Sequence, residues 1–183
     1  GGVVETINEV TKKPTEGFKK DISTKRNVSY RRILTKWLFG FFQGVELRSS
    51  KIGHQLSIHI VDAQNNTIYF QIPFQDQRGD IGTFAESFLC KLPYMKKGTL
   101  YRLYAYCMDR EGTSYKNIGI SVKYASDWET AIDEPKVEKL TYSYTKKDTQ
   151  EFVQGHIPAI VWTTKFDGGK VADKSAKNKY LYE

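Results

Sequence analysis

Leu56, Ile58 and Ile60 alternate with Gln55, Ser57 and His59, the two-residue period of a strand with one buried face. Asp62-Ala-Gln-Asn-Asn66 follows as turn chemistry. Ile68, Phe70 and Ile72 then alternate with Tyr69 and Gln71, so two neighbouring strands share an inner aliphatic row and an outer polar-aromatic row. Upstream, Tyr30–Phe42 holds Leu34, Trp37, Leu38, Phe39, Phe41 and Phe42. Periodicity cannot type so short a run, which reads either as a helix or as the approach to a strand. The spacing predicts a first strand over Phe41–Arg48, with Phe41, Val45 and Leu47 on one side and Gly40 and Gly44 suited to a bend.

After the third strand the period changes. Thr83-Phe-Ala-Glu86 matches a capping box, and Ile81, Phe84, Ala85, Phe88, Leu89 and Leu92 recur at helical spacing until Pro93. Asp76, Arg78 and Asp80 flank a glycine beside this helix start and read as turn and cap residues. A fourth strand is predicted over Leu100–Met108, with its direction open. Either Arg102, Tyr104 and Tyr106 face outward, or Leu103, Ala105 and Cys107 do. Asp109–Ser114 is a polar loop, and Ile118, Ile120, Val122 and Tyr124 form the inner face of a fifth strand.

Three strands, one helix and two strands are the element order of a five-stranded OB-fold barrel. The predicted architecture is therefore mainly β. A basic arm spans 1–29 and the barrel 30–125, with its one helix between strands 3 and 4. An extension at 126–163 carries strands near Lys139–Tyr144 and Ile157–Thr163, and 164–183 is a loose polar tail. Asp127, Glu129, Asp133 and Glu134 form an acidic patch at the start of the extension.

Composition adds a direction. The 183 residues carry a formal net charge of +7, and 14% of them are aromatic. Between Thr11 and Lys36 nine basic residues stand against Glu16 and Asp21, and 9 − 2 equals the excess of the whole chain. Such an arm suits a phosphate backbone, or else a solvated leader. No run of about 18 apolar residues is present, so no spanning helix is expected. The opening Gly-Gly, without an initiator Met, reads as a processing scar. Cys90 and Cys107 sit in apolar runs and read as reduced core thiols, which places the protein in the cytoplasm.

The search for catalytic motifs is negative. There is no Gly-rich phosphate loop, Cys-x-x-Cys, His-Glu-x-x-His or Gly-x-Ser-x-Gly. His54 and His59 are five residues apart on one strand and so face opposite ways, and His156 stands alone. No catalytic residue, metal or cofactor is expected.

Binding residues are easier to find. An OB barrel takes single strands across the outer face of its second and third strands, between the loops joining strands one to two and four to five. The first loop offers Arg48 and Lys51, and the second Arg110, Tyr115 and Lys116. The face between them offers His59, Tyr69 and Gln71, and the fourth strand adds Arg102, Tyr104 and Tyr106. Rings stack on any base and cations neutralise phosphates, which binds single strands without reading sequence. Trp37 reads as a packing residue.

Gln55-Leu-Ser-Ile-His-Ile-Val61, Thr67-Ile-Tyr-Phe-Gln-Ile72 and Leu100-Tyr-Arg-Leu-Tyr-Ala-Tyr106 resemble phage-encoded single-stranded DNA-binding proteins, those of crAss-like gut phages in particular. The resemblance covers about residues 30–125. It implies a non-enzymatic protein that coats single-stranded DNA in replication or recombination, in the host cytoplasm and away from membranes. Replication or recombination proteins and a second copy of the chain are further partners it brings into view. The chain departs from that family in ending Lys177-Asn-Lys-Tyr-Leu-Tyr-Glu183 instead of in an acidic tip, which bears on partner recruitment. Three other classes stay open: a phage structural or assembly protein using the barrel for protein contacts, an RNA-binding factor and, least favoured, an enzyme such as a nuclease with acidic residues gathered from distant loops.

Overall fold

The computed structural model describes residues 3–8, 19–22, 28–35, 37–50, 53–126, 134–165 and 168–183. Its centre is a five-stranded antiparallel sheet built from β4 (Leu38–Ser50), β5 (Gly53–Val61), β6 (Thr67–Pro73), β7 (Leu100–Asp109) and β8 (Lys116–Tyr124), in the order β6-β5-β4-β7-β8. The expected closed barrel is not formed, because β6 and β8 do not pair and remain the two edges. The long strand β4 serves both halves. Leu38–Phe41 pairs with β7, and Phe41–Ser50 pairs with β5.

The alternating rows explain the core. Leu56, Ile58, Ile60 and Ile72 are buried, opposite Leu103, Ile120 and Val122 from the other half. The inward residue of β4 is Phe42, whereas Phe41 is exposed, which corrects the predicted row. The cause is a register shift between Phe42 and Gly44. Gly44 has φ 148°, a conformation that a side chain would disfavour, and the extra residue reverses the alternation on either side of it.

Helix α1 (Thr83–Leu89) and a short 3-10 turn (Leu92–Tyr94) connect β6 to β7. The helix buries Ala85 and Phe88 and contacts both edge strands. The predicted capping box is not formed: Gly82 is the N-cap, with no side-chain hydrogen bond. Glu86 instead accepts hydrogen bonds from Tyr142 and from Lys177. Asp62 and Asp76 act as turn residues, each accepting two backbone N–H groups from the following loop.

Beyond this sheet the sequence reading needs correction. The described residues of the N-terminal arm form strands β1 (Val3–Asn8), β2 (Lys19–Ile22) and β3 (Val28–Thr35), a separate antiparallel sheet in the order β1-β3-β2. Residues 135–140 run beside β8, with Tyr124 N–H donating to Pro135 and Val137 N–H to Val122. Two small hairpins follow, β9 (Tyr144–Thr145) with β10 (Phe152–Val153), and β11 (Val161–Thr164) with β12 (Lys170–Asp173).

The supposed loose tail holds helix α2 (Ser175–Tyr182), and polar contacts anchor it. Lys177 is buried against Glu86, Lys174 and Asn178 bind Asp80, and the Tyr182 ring meets Phe74 edge-on at 5.0 Å. The Lys174 and Asn178 hydrogen bonds hold the Asp80 carboxyl below its ordinary range. Cys90 is buried, but Cys107 is exposed near the end of β7, not a core thiol.

Candidate nucleic-acid interface

The outer face of β5 and β6 brings together four of the predicted residues. His59 lies opposite Tyr69, and Ser57 opposite Gln71, because directly paired residues of antiparallel strands share a face. Arg48 joins them from β4, not from a loop, through its pairing with Gln55. Its guanidinium lies 4.9 Å from the Tyr69 ring centroid, and the His59 ring meets Tyr69 edge-on at 4.8 Å. Tyr69 remains 49% exposed and Gln71 is exposed.

Glu46 completes this patch and was not among the predicted residues. It binds Arg48 at 2.8 Å and lies 3.5 Å from His59 Nε2. The Arg48 hydrogen bond holds the Glu46 carboxyl below its ordinary range. The signal was available, since Glu46 and Arg48 are two apart on one strand and so share a face. The patch is therefore polar and aromatic with its local cation already paired. Ser57, outward by alternation, is fully buried, and its Oγ has no hydrogen-bond partner among the described residues.

The outer face of β7 is different. Tyr104 and Tyr106 do lie opposite the buried Leu103 row, but both are half-buried. Trp37 packs on Tyr104 at 4.7 Å, and Tyr104 and Tyr106 stand nearly parallel, 6.4 Å apart. Tyr106 lies over Gly119, its cross-strand partner. A Cβ added there would sit 2.7 Å from the Tyr106 hydroxyl and 2.6 Å from Ser87 Oγ, so glycine permits this approach of ring and helix.

Arg102 corrects the predicted set. It is buried, bound to Glu134 at 2.9 and 3.1 Å, and its guanidinium lies 4.8 Å from the Phe39 ring centroid. A guanidinium committed to a buried carboxylate does not serve a phosphate. Glu134 is the one member of the acidic patch within the described residues; Asp127, Glu129 and Asp133 lie outside them. Lys51 also lies outside the described residues.

The β7–β8 hairpin tip carries the remaining three. Arg110 is exposed, Tyr115 is 78% exposed, and Lys116 stands 3.5 Å from Asp109. The eleven predicted residues thus divide among the β5–β6 patch, the β7 face and this tip, with Lys51 undescribed.

A cleft of about 720 Å³ lies between α1, the edge of β8 and residues 136–142. Tyr104 and Tyr106 line it, with Lys91, Lys136 and Lys139. Burial lowers the Lys91 ammonium to about 8, and its described hydrogen bonds go to the Ser87 carbonyl and hydroxyl. Burial also pushes up the Cys90 thiol and the Tyr142 hydroxyl beside it. These lysines and Tyr142 escape a periodicity reading because they come from a helix end and an irregular segment.

Among the described residues no group of His, Cys, Asp and Glu has metal-binding geometry, and no helix is long and apolar enough to cross a membrane. The chain matches no family model, no curated protein and no solved structure.

Proposed function

We propose that this protein binds single-stranded DNA with little regard to sequence, without catalysis, as phage proteins of replication and recombination do. The carrying observation is the half-exposed Tyr69 ring flanked by Arg48 and His59 on the outer face of β5 and β6. A ring in this setting offers stacking to any base, Arg110 and Lys116 offer charge to the backbone, and Arg48 can add to it by exchanging its exposed Glu46 partner for a phosphate. The +7 net charge points the same way.

The reading treats the central sheet as an OB fold opened along one seam. The order β6-β5-β4-β7-β8, with α1 between β6 and β7, corresponds to such a barrel whose third and fifth strands have parted, with the helix between them. Replication or recombination proteins and a second copy of the chain are the partners that fit this role, and the host cytoplasm is where it would act.

Fluorescence anisotropy with labelled dT, rU and duplex oligomers at two salt concentrations tests the proposal. The expected order is dT above duplex, with affinity falling steeply as salt rises. Equal binding of duplex and dT overturns it, and rU bound above dT moves the function to RNA. One observation favours a protein-contact role instead: Val161 and Trp162 are exposed on the β11–β12 hairpin, Trp162 at 63%. Absence of any oligonucleotide binding, together with co-purifying virion proteins, would establish that second reading.

A further inference from the structure

The cleft beside β8 has features that strand binding on the β5–β6 face does not use. One wall is aromatic, formed by Tyr104 and Tyr106. Lys91, Lys136 and Lys139 also line the cleft, with Glu86 and Glu138 as the lining carboxylates. Glu86 is already satisfied by Lys177 and Tyr142, so it adds little repulsion towards an anion. Lys91 makes no ion pair among the described residues, and an ammonium with three donors keeps one free after its two bonds to Ser87.

The strand edge supplies a third element. Ile120 N–H and C=O are both answered by Ser87 Oγ, and Val122 C=O by Val137. By the same alternation Ile118 turns its N–H and C=O to this edge, where the residue lines the cleft. Such a donor–acceptor pair matches the edge of a nucleobase. At about 720 Å³ the cleft lies within the ordinary range of small-ligand sites.

We propose that this cleft binds a nucleoside monophosphate group, its base against Tyr104 and Tyr106 and its phosphate on Lys91, Lys136 and Lys139. The group is either a free nucleotide or the phosphorylated end of a strand. The site shares no residue with the β5–β6 patch. It goes beyond the strand-binding reading and does not need it.

Titration calorimetry of the full chain with dTMP, thymidine and inorganic phosphate tests the site. Saturable dTMP binding is expected, at least about tenfold tighter than thymidine or phosphate alone, since ring and anion are both held. Lys91→Met is expected to weaken dTMP at least about tenfold, and Tyr69→Ala to leave it unchanged. Should Lys91→Met fail to fold, the exposed pair Lys136→Ala with Lys139→Ala carries the same test. No saturable dTMP binding, binding no tighter than phosphate, or full binding in the lysine variants overturns the inference.

Competition by a terminally phosphorylated dT oligomer, and not by its hydroxyl form, assigns the ligand to strand ends. No competition by either assigns it to free nucleotide, and both results keep the site. Loss of dTMP binding with oligonucleotide binding intact defeats this inference alone. The converse defeats the strand-binding reading alone.

Discussion

Two arginine–glutamate pairs with aromatic neighbours sit on the two halves of this sheet, at nearly the same distance and with opposite consequences. Arg48 binds Glu46 at 2.8 Å with 40% and 50% of their side chains exposed. Arg102 binds Glu134 at 2.9 Å with 5% of each exposed. In the first pair water screens the attraction and can take over either partner. In the second, each charge has left water and depends on the other. Equal geometry therefore yields an adaptable surface on one half and a fixed structural joint on the other.

The contrast makes its strongest prediction at Glu134. Glu134→Gln should destabilise the fold by about 3–5 kcal/mol, because a buried guanidinium loses its counter-charge. Urea unfolding measures this, and a midpoint within error of the wild type breaks the distinction. Next comes Tyr69→Ala, expected to weaken dT binding by roughly tenfold, the loss of one base stack, with the unfolding midpoint unchanged. Glu46→Gln should leave stability unchanged and raise dT affinity a few-fold, with a salt slope steeper by about one, because Arg48 is released to a phosphate.

A pH-dependent effect belongs to the drier half. Lys91 is lowered to about 8 from an ordinary 10.5, so in that interval the unfolded chain binds more protons than the folded one. Stability from this group should rise with pH between about 8 and 10.5. Cys90, raised by burial, acts with the opposite sign, and Glu86, Glu138, Lys139 and Tyr142 also border the site. Comparing thermal midpoints of the wild type and Lys91→Met across that interval isolates the lysine. Parallel pH curves for the two proteins would contradict it.

The central strands could be read from sequence because each buries one face, which imposes alternation on Leu56–Ile60 and Ile68–Ile72. What escaped was decided at longer range. Arg102 alternates like a surface residue, and its buried charge is answered by Glu134, 32 positions away. Thr83 and Glu86 have capping spacing, but Lys177 draws the carboxylate elsewhere from 91 positions away. Helix α2 lacks an apolar stripe and is anchored by Lys174, Lys177, Asn178 and Tyr182, so its composition resembled a solvated tail. Tyr104 and Tyr106 do face outward, yet α1 and residues 136–142 rise beside them, and no local period announces that enclosure.

The fastening of α2 also sets an order of events at birth. Among the described residues, Asp80 and Glu86 obtain their lysine partners from residues 174 and 177. A ribosome that has released the whole central sheet has therefore not yet delivered the groups that neutralise its first helix. During that interval Tyr142 is the other donor to Glu86 among the described residues, and the nascent domain waits on the first turn of α2 to set.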